Sequence, residues 1–244
     1  MRIVSLSPSI TEILIGLKAG NELVGTIDVC EVDGTRLEQV GSPKSIQIKK
    51  IEALSPDWVL VDSHDNRPED IQLIQKKWRT KIFEAKKLDQ VCDAVTELGR
   101  LVEKKCEAAR LNEAIQREVL ICQEVFRDHQ KKRTVLLIWD TPYLTVNFDT
   151  YASHLMEASG GVNVFRREPL REFPVEMEDM IEKDPEILLL CGEPAPFHPK
   201  HIDQFRKYRI FSKIPIHIVD GKLLGQYGAQ TVEALRKLRN IYEG

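Results

Sequence analysis

The sequence predicts an α/β fold: two Rossmann-like lobes with mostly parallel sheets, bridged by one long α-helix, with a ligand cleft between the lobes. Three observations carry this expectation. Short apolar runs of strand length alternate with stretches of helical period, the pattern of parallel strands joined by crossover helices. One pattern also occurs twice, at Ile48–Asp62 and at Met177–Cys191. Each copy is an amphipathic helical stretch, a break at Pro56-Asp57 or Pro185-Glu186, and an apolar strand that ends in a polar loop. Finally, residues 88–130 contain no proline and a single glycine, Gly99, with apolar residues recurring at helical spacing. Continuous helix over that stretch would measure on the order of 60 Å, too long to pack inside one small lobe.

The elements follow in order. Ile3–Leu6 reads as a strand, and Ile10, Ile13, Leu14 and Leu17 mark a helix that Ser9 and Glu12 would open as a capping box. Leu23–Ile27 reads as a second strand and residues 28–47 as loop. The first copy of the repeat places a strand at Trp58–Val61, followed by a helix over Pro68–Trp78 and a strand over Lys81–Glu84. A break near Gly99 would leave one helix in the first lobe and a connecting helix over 104–130. The lobes are thus bounded at 1–103 and 131–244. The second half restarts with a strand at Thr134–Trp139, a loop over Asp140–Thr150 and a helix at Tyr151–Ser159. Gly160-Gly161 stops that helix, and Val162–Phe165 is extended. After the second copy come a helix near His201–Lys207, a strand at Ile216–Val219 and a closing helix over Thr231–Tyr242.

Composition narrows the function. Of 244 residues, 42% are hydrophobic and 30% charged, ordinary for a globular protein with a sizeable core. A formal charge of −3 argues against a nucleic-acid partner, because phosphate binding needs clustered Lys and Arg. No apolar run is long enough to span a membrane. The chain opens on a strand-like segment with no leader ahead of it. It is therefore expected to work in the periplasm or another extracytoplasmic space if a signal was removed, and in the cytoplasm otherwise. Cys30, Cys92, Cys106, Cys122 and Cys191 are scattered without zinc or redox spacing, and Cys92, Cys106 and Cys122, in helical patterns, read as small buried side chains.

In open α/β sheets ligands sit outside the carboxyl ends of the strands. That rule selects the loops Ser7–Ser9, Asp28–Glu31, Asp62–Arg67, Asp140–Thr150, Gly192–His198 and Asp220–Tyr227. Ser7, Pro8 and Ser9 lie where a helix N-terminus offers free N–H groups to a polar ligand group. Trp139, Tyr143, Phe148 and Tyr151 form an aromatic cluster in a chain only 7% aromatic, suited to a large ring system or to core packing. His64, His198 and His201 are too few and too scattered to predict a metal site. No nucleophile elbow, P-loop or dinucleotide fingerprint is present, so nothing in the sequence points to catalysis.

Arg2-Ile3-Val4-Ser5-Leu6-Ser7-Pro8-Ser9-Ile10-Thr11-Glu12, Val24-Gly25 and Leu54-Ser55-Pro56-Asp57 resemble the N-terminal lobe of helical-backbone (class III) substrate-binding proteins. Those proteins serve ABC importers of vitamin B12, siderophores and haem. Trp139-Asp140-Thr141-Pro142-Tyr143-Leu144, Gly160-Gly161-Val162-Asn163-Val164-Phe165 and Val219-Asp220-Gly221-Lys222-Leu223-Leu224 look like the matching elements of the second lobe. The resemblance covers nearly the whole chain and is closest to the vitamin B12-binding branch. It implies capture, without chemistry and without a cofactor of the protein's own, of cobalamin, another corrinoid or a related metal chelate. The expected ligand contacts are Ser7, Pro8, Ser9, Val29, His64, Trp139, Tyr143 and Tyr227. It also implies docking to an ABC permease through an acidic residue on each lobe. Glu178 matches the second position, but Lys49 stands at the first, where a basic permease pocket would repel it. A cytoplasmic corrinoid or metabolite binder of the same fold, uncoupled from a permease, is the second expectation. A hydrolytic enzyme using His64 as acid or base is a distant third.

Overall fold

The structure, a computed structural model, describes residues 1–28, 30 and 37–244. It divides into two compact units, and the second contributes three residues of its chain span, Tyr227–Ala229, to the first.

The first unit is built on β1 (Ile3–Ser5), α1 (Pro8–Gly16), β2 (Leu23–Thr26), β3 (Glu38–Gln39), β4 (Gly41–Ser42) and β5 (Ser45–Ile46). It continues through α2 (Ile48–Leu54), β6 (Trp58–Asp62), α3 (Pro68–Lys77), β7 (Thr80–Phe83) and α4 (Leu88–Leu101). Five strands form a parallel sheet in the order β3-β2-β1-β6-β7, and β4 and β5 make a small antiparallel hairpin. Helices cover a parallel sheet on both faces, so its strands are continuous apolar runs rather than alternating ones. Ile3, Val4, Val59, Leu60 and Val61 are accordingly all fully buried. One face packs Val4, Val59 and Val61 against Ile51 of α2 and Ile71 and Ile74 of α3.

α1 begins at Pro8 with Ser7 as its N-cap, and no side chain caps it. The capping box read from Ser9 and Glu12 is therefore absent. Proline at the first helical position has its φ already set and no N–H to satisfy, while the Ser9 hydroxyl accepts the Tyr227 N–H at 3.1 Å instead.

α5 (Lys105–Val125) starts in the first unit and ends in the second, 21 residues and about 30 Å long. Its fully buried residues Ala108, Ile115 and Cys122 recur every seven positions, one stripe along the helix. The break between α4 and α5 falls at Val102–Lys104, with Glu103 at φ +58°, rather than near Gly99. Gly99 stays helical because α4 needs it to approach α5: a Cβ there would lie 2.4 Å from the Ala108 Cβ. α5 stops at Val125, short of the sequence expectation. The chain then turns, and the Phe126 ring lies where a Cβ on Gly160 would fall, 2.6 Å away.

The second unit contains β8 (Lys132–Leu137), β9 (Trp139–Asp140), β10 (Tyr143–Val146), α6 (Tyr151–Ala158), β11 (Gly161–Asn163), β12 (Glu172–Pro174) and α7 (Met177–Glu182). β13 (Ile187–Cys191), α8 (Pro199–Phe205), β14 (Ile216–Val219), α9 (Gly221–Gly225) and α10 (Thr231–Glu243) complete it. A parallel sheet runs β11-β8-β13-β14, and a three-stranded antiparallel sheet runs β12-β10-β9. Asp140–Thr150, read from sequence as a loop, thus contains a strand. Tyr143-Leu144-Thr145-Val146 has the aromatic and β-branched content of one. Phe197, Phe205 and Phe211 fill the core beside Leu188, Leu190, Val135 and Leu137. The duplicated pattern holds in three dimensions, since α2–β6 and α7–β13 occupy the same place in the order of their own sheets. β6 pairs with β1, and β13 pairs with β8, the first strand of its half.

Candidate functional site

Each parallel sheet has one point where the strand order reverses, and the crevice outside the strand ends at that point is where open α/β sheets take ligands. In the first unit it lies between β1 and β6. The loops that leave those strands are Ser7–Ser9 and the turn from Asp62 to Asn66. In the second unit it lies between β8 and β13, where Trp139-Asp140 and the loop 192–198 emerge.

At the first of these, Ser7 is fully buried and its Oγ has no hydrogen-bond partner among the described residues. Pro8 is half-buried and Ser9 is buried. Beneath them Thr11 Oγ1 lies 2.8 Å from Ser5 Oγ and 2.9 Å from the Ser7 carbonyl oxygen. The β6 turn is closed by Asn66. Its side-chain oxygen accepts the Asp62 N–H at 3.0 Å, and its amide donates to Leu6 O at 2.8 Å and Pro43 O at 3.2 Å. His64 is exposed, its N–H donates to Asp62 Oδ1 at 2.8 Å, and its carbonyl accepts from Lys44 Nζ at 2.8 Å.

Tyr227 belongs to this same constellation, but as a buried tether. It is 5% exposed, and its hydroxyl donates to Asp62 Oδ2 at 2.5 Å. Burial, then the adjacent Asp62 carboxylate, push its phenol well above the ordinary range. Little of the ring is left for a ligand. Asp62, 2% exposed, is the residue that sequence reasoning passed over. The available signal was an acid ending an otherwise apolar strand. Val29 lies outside the described residues.

In the second unit Trp139 is 45% exposed and Phe148 50% exposed, so both offer aromatic faces. Tyr143 is half-buried with its ring centroid 5.4 Å from that of Phe205, and Tyr151 is core, donating to Thr231 Oγ1 at 3.0 Å. His201 is buried, its Nδ1 accepts the His198 N–H at 2.8 Å, and its Nε2 lies 3.5 Å from Asp140 Oδ2. The His198 carbonyl oxygen lies 3.2 Å from the same Nδ1, and Nε2 faces Asp140, the residue next to Trp139. Among the described residues no three His, Cys, Asp or Glu side chains converge as a metal cage. No helix there is long and apolar enough to cross a membrane.

Of the docking residues, Lys49 is exposed on α2 and Glu178 on α7. The structure thus gathers Ser7, Pro8, Ser9, His64 and Tyr227 at one switch point and Trp139 at the other, with Tyr143 on the adjoining strand. The first switch point offers hydroxyls and a histidine, and the second an exposed aromatic face.

The periplasmic binding protein family matches residues 3–216. The chain belongs to the periplasmic binding protein family. A curated relative, the vitamin B12-binding protein of Yersinia pestis (strain Pestoides F), is 26% identical over 195 residues, covering 78% of this chain and 69% of that protein. Among solved structures, the periplasmic vitamin B12 binding protein BtuF of Vibrio cholerae superposes with a TM-score of 0.86 at 20% identity, over 99% of this chain and 96% of that one. The periplasmic heme binding protein HutB of Vibrio cholerae superposes at 0.84 with 19% identity, over 100% and 99%. These likenesses establish the α/β fold expected from sequence. As a periplasmic binding protein the chain is a ligand-capturing protein of the substrate-binding type, not an enzyme, which removes the hydrolase expectation.

Proposed function

We propose that this periplasmic binding protein captures a corrinoid, cobalamin or a close relative, as the substrate-binding component of an ABC importer. The observation that carries this reading is the 26% identity across 78% of the chain to a vitamin B12-binding protein. The exposed indole of Trp139 at the β8 switch point supports it, since a broad aromatic face suits a large, flat, partly apolar ring system. Ser7, Pro8, Ser9 and His64 would supply the polar contacts from the first unit, and Tyr143 would flank Trp139 in the second. A haem or other iron chelate is the second reading, favoured by the fold shared with a heme binding protein.

Visible-spectrum titration with cyanocobalamin, and separately with haem, tests both. The expected result is corrinoid binding with Kd below about 1 μM, weakened roughly 10- to 30-fold in Trp139→Ala with an unchanged thermal midpoint, as for an exposed aromatic anchor. Absence of cyanocobalamin binding at roughly 100 μM removes the corrinoid reading, and tight haem binding in its place selects the second.

For the importer itself, Lys49 and Glu178 are the proposed docking residues. Lys49 forms no ion pair among the described residues, whereas its neighbour Lys50 faces Glu38 at 3.5 Å. A cation on α2 disfavours a basic permease socket. Lys49→Glu is therefore expected to tighten docking to a vitamin B12 importer reconstituted in nanodiscs by about tenfold, the scale of one close charge pair. Equal affinity of the two proteins would take Lys49 out of the interface.

A further inference from the structure

We infer that Tyr227 is a positioning residue: acting through Asp62, it fixes the turn that presents His64. The role of His64 toward a ligand rests on the function proposed above; the positioning itself does not.

The argument begins with burial. Asp62 is 2% exposed, and its two carboxylate oxygens have separate duties. Oδ1 accepts the His64 N–H at 2.8 Å, and Oδ2 accepts the Tyr227 hydroxyl at 2.5 Å. A buried carboxylate is tolerated only where its oxygens are hydrogen-bonded. If the phenol is removed, Oδ2 is left unmet, and the buried carboxylate turns toward water. Turning takes Oδ1 away from the His64 N–H. Asn66 holds the ends of this turn through Leu6, Pro43 and Asp62, and the Ser63 N–H donates to Phe83 O, so the bond that depends on Tyr227 is the one from the His64 N–H.

Tyr227 is itself held from behind. Its N–H donates to Ser9 Oγ, and the next residue, Gly228, packs so closely that a Cβ would meet Ile13 at 2.5 Å. The same three-residue segment therefore grips the Ser7–Ser9 turn through its backbone and the Asp62–Asn66 turn through its side chain. These are the two loops at one switch point. A tyrosine that only filled space would need no carboxylate partner, and a tyrosine that lined a ligand wall would not be 5% exposed.

Amide hydrogen exchange on the full chain tests this without any ligand. In Tyr227→Phe the His64 amide is expected to exchange at least tenfold faster. The Leu6 and Val59 amides, bonded to Leu60 O and Arg79 O in the sheet, should be unchanged. Asp62→Asn keeps an acceptor for His64 and offers Tyr227 a donor, so it should stay within threefold of the parent. No change at His64, or equal acceleration at Leu6 and Val59, overturns the inference, the second because it reports general loosening. A cyanocobalamin titration of Tyr227→Phe adds a functional arm, with binding expected at least fivefold weaker than in the parent. Equal affinity in Tyr227→Phe and the parent, with the His64 amide accelerated, removes His64 from the proposed ligand contacts and leaves the positioning standing. If the parent binds no cyanocobalamin, the corrinoid reading falls, and the exchange result alone decides the positioning role.

Discussion

Replacing Glu118 with alanine is expected to destabilise the protein by about 3–5 kcal/mol, the usual cost of removing one partner of a buried ion pair. Glu118 lies on α5 and is only 3% exposed. Its carboxylate accepts from Arg236 Nε at 2.8 Å and from Arg239 Nη1 at 2.9 Å, both on α10. The Arg239 side chain is 17% exposed, so without Glu118 its charge keeps the Cys122 thiol beside it but lacks full access to water. Arg236, at 57%, re-solvates easily and adds little to the cost. The thermal midpoint should fall by roughly 6–20 °C, given about 2–4 °C per kcal/mol at this chain size. The double change Glu118→Leu with Arg239→Met should recover most of that loss, because it removes the stranded charge together with its partner. A midpoint within about 2 °C of the parent in Glu118→Ala would show that Arg239 is solvated, and the attribution would fail.

Gly228→Ala is expected to cost about 3 kcal/mol, from two sources. The residue sits at φ +126°, where a side chain is strained, and the new Cβ would meet the fully buried Ile13 at 2.5 Å. Ile13 is fully buried and the contact is to its Cγ1, near the root of the side chain, so relief is expected from the segment itself. Lifting Tyr227–Ala229 pulls Tyr227 away from both Ser9 and Asp62. Gly228→Ala should therefore weaken cyanocobalamin binding as well as lower the thermal midpoint. Gly225→Ala, in the same stretch but with open space around the new methyl, is the control and should stay within about 0.5 kcal/mol. If the two variants melt together, the close packing of Gly228 on Ile13 is not what holds the segment.

Much of the fold was legible in the sequence. Helix and strand differ in apolar period, and the breaks at Pro56-Asp57 and Pro185-Glu186 are local chemistry, so α2–β6 and α7–β13 could be read and matched as copies. β14 falls on Ile216–Val219 as its apolar run predicts. The failures are equally physical. A Ser-x-x-Glu pattern reads as a capping box, yet Ser9 gives its hydroxyl to a backbone N–H 218 residues away. Gly99 reads as a helix breaker, yet it is a point of contact between two helices. Tyr143–Val146 sits among loop-forming residues, and it becomes a strand because β9 and β12 flank it.

The candidate site divides the same way. The rule that ligands sit at strand ends selected Ser7–Ser9, His64 and Trp139 from sequence, because strand ends are marked by a change from apolar to polar residues. It could not separate exposed Trp139 from buried Tyr227. That depends on a hydroxyl meeting a carboxylate 165 positions earlier, and such a meeting leaves no periodic trace in the chain. By itself, then, the sequence determined the main alternating helices and strands and the family to which they belong, but not the short strands β3–β5, β10 and β12. Only the tertiary structure decided that Asp62 and Tyr227 pair, that Ser9 is already engaged, and that Glu118 anchors α10. Each of these joins residues far apart in the chain, and the chain's return, which no local period records, brings them within hydrogen-bond reach.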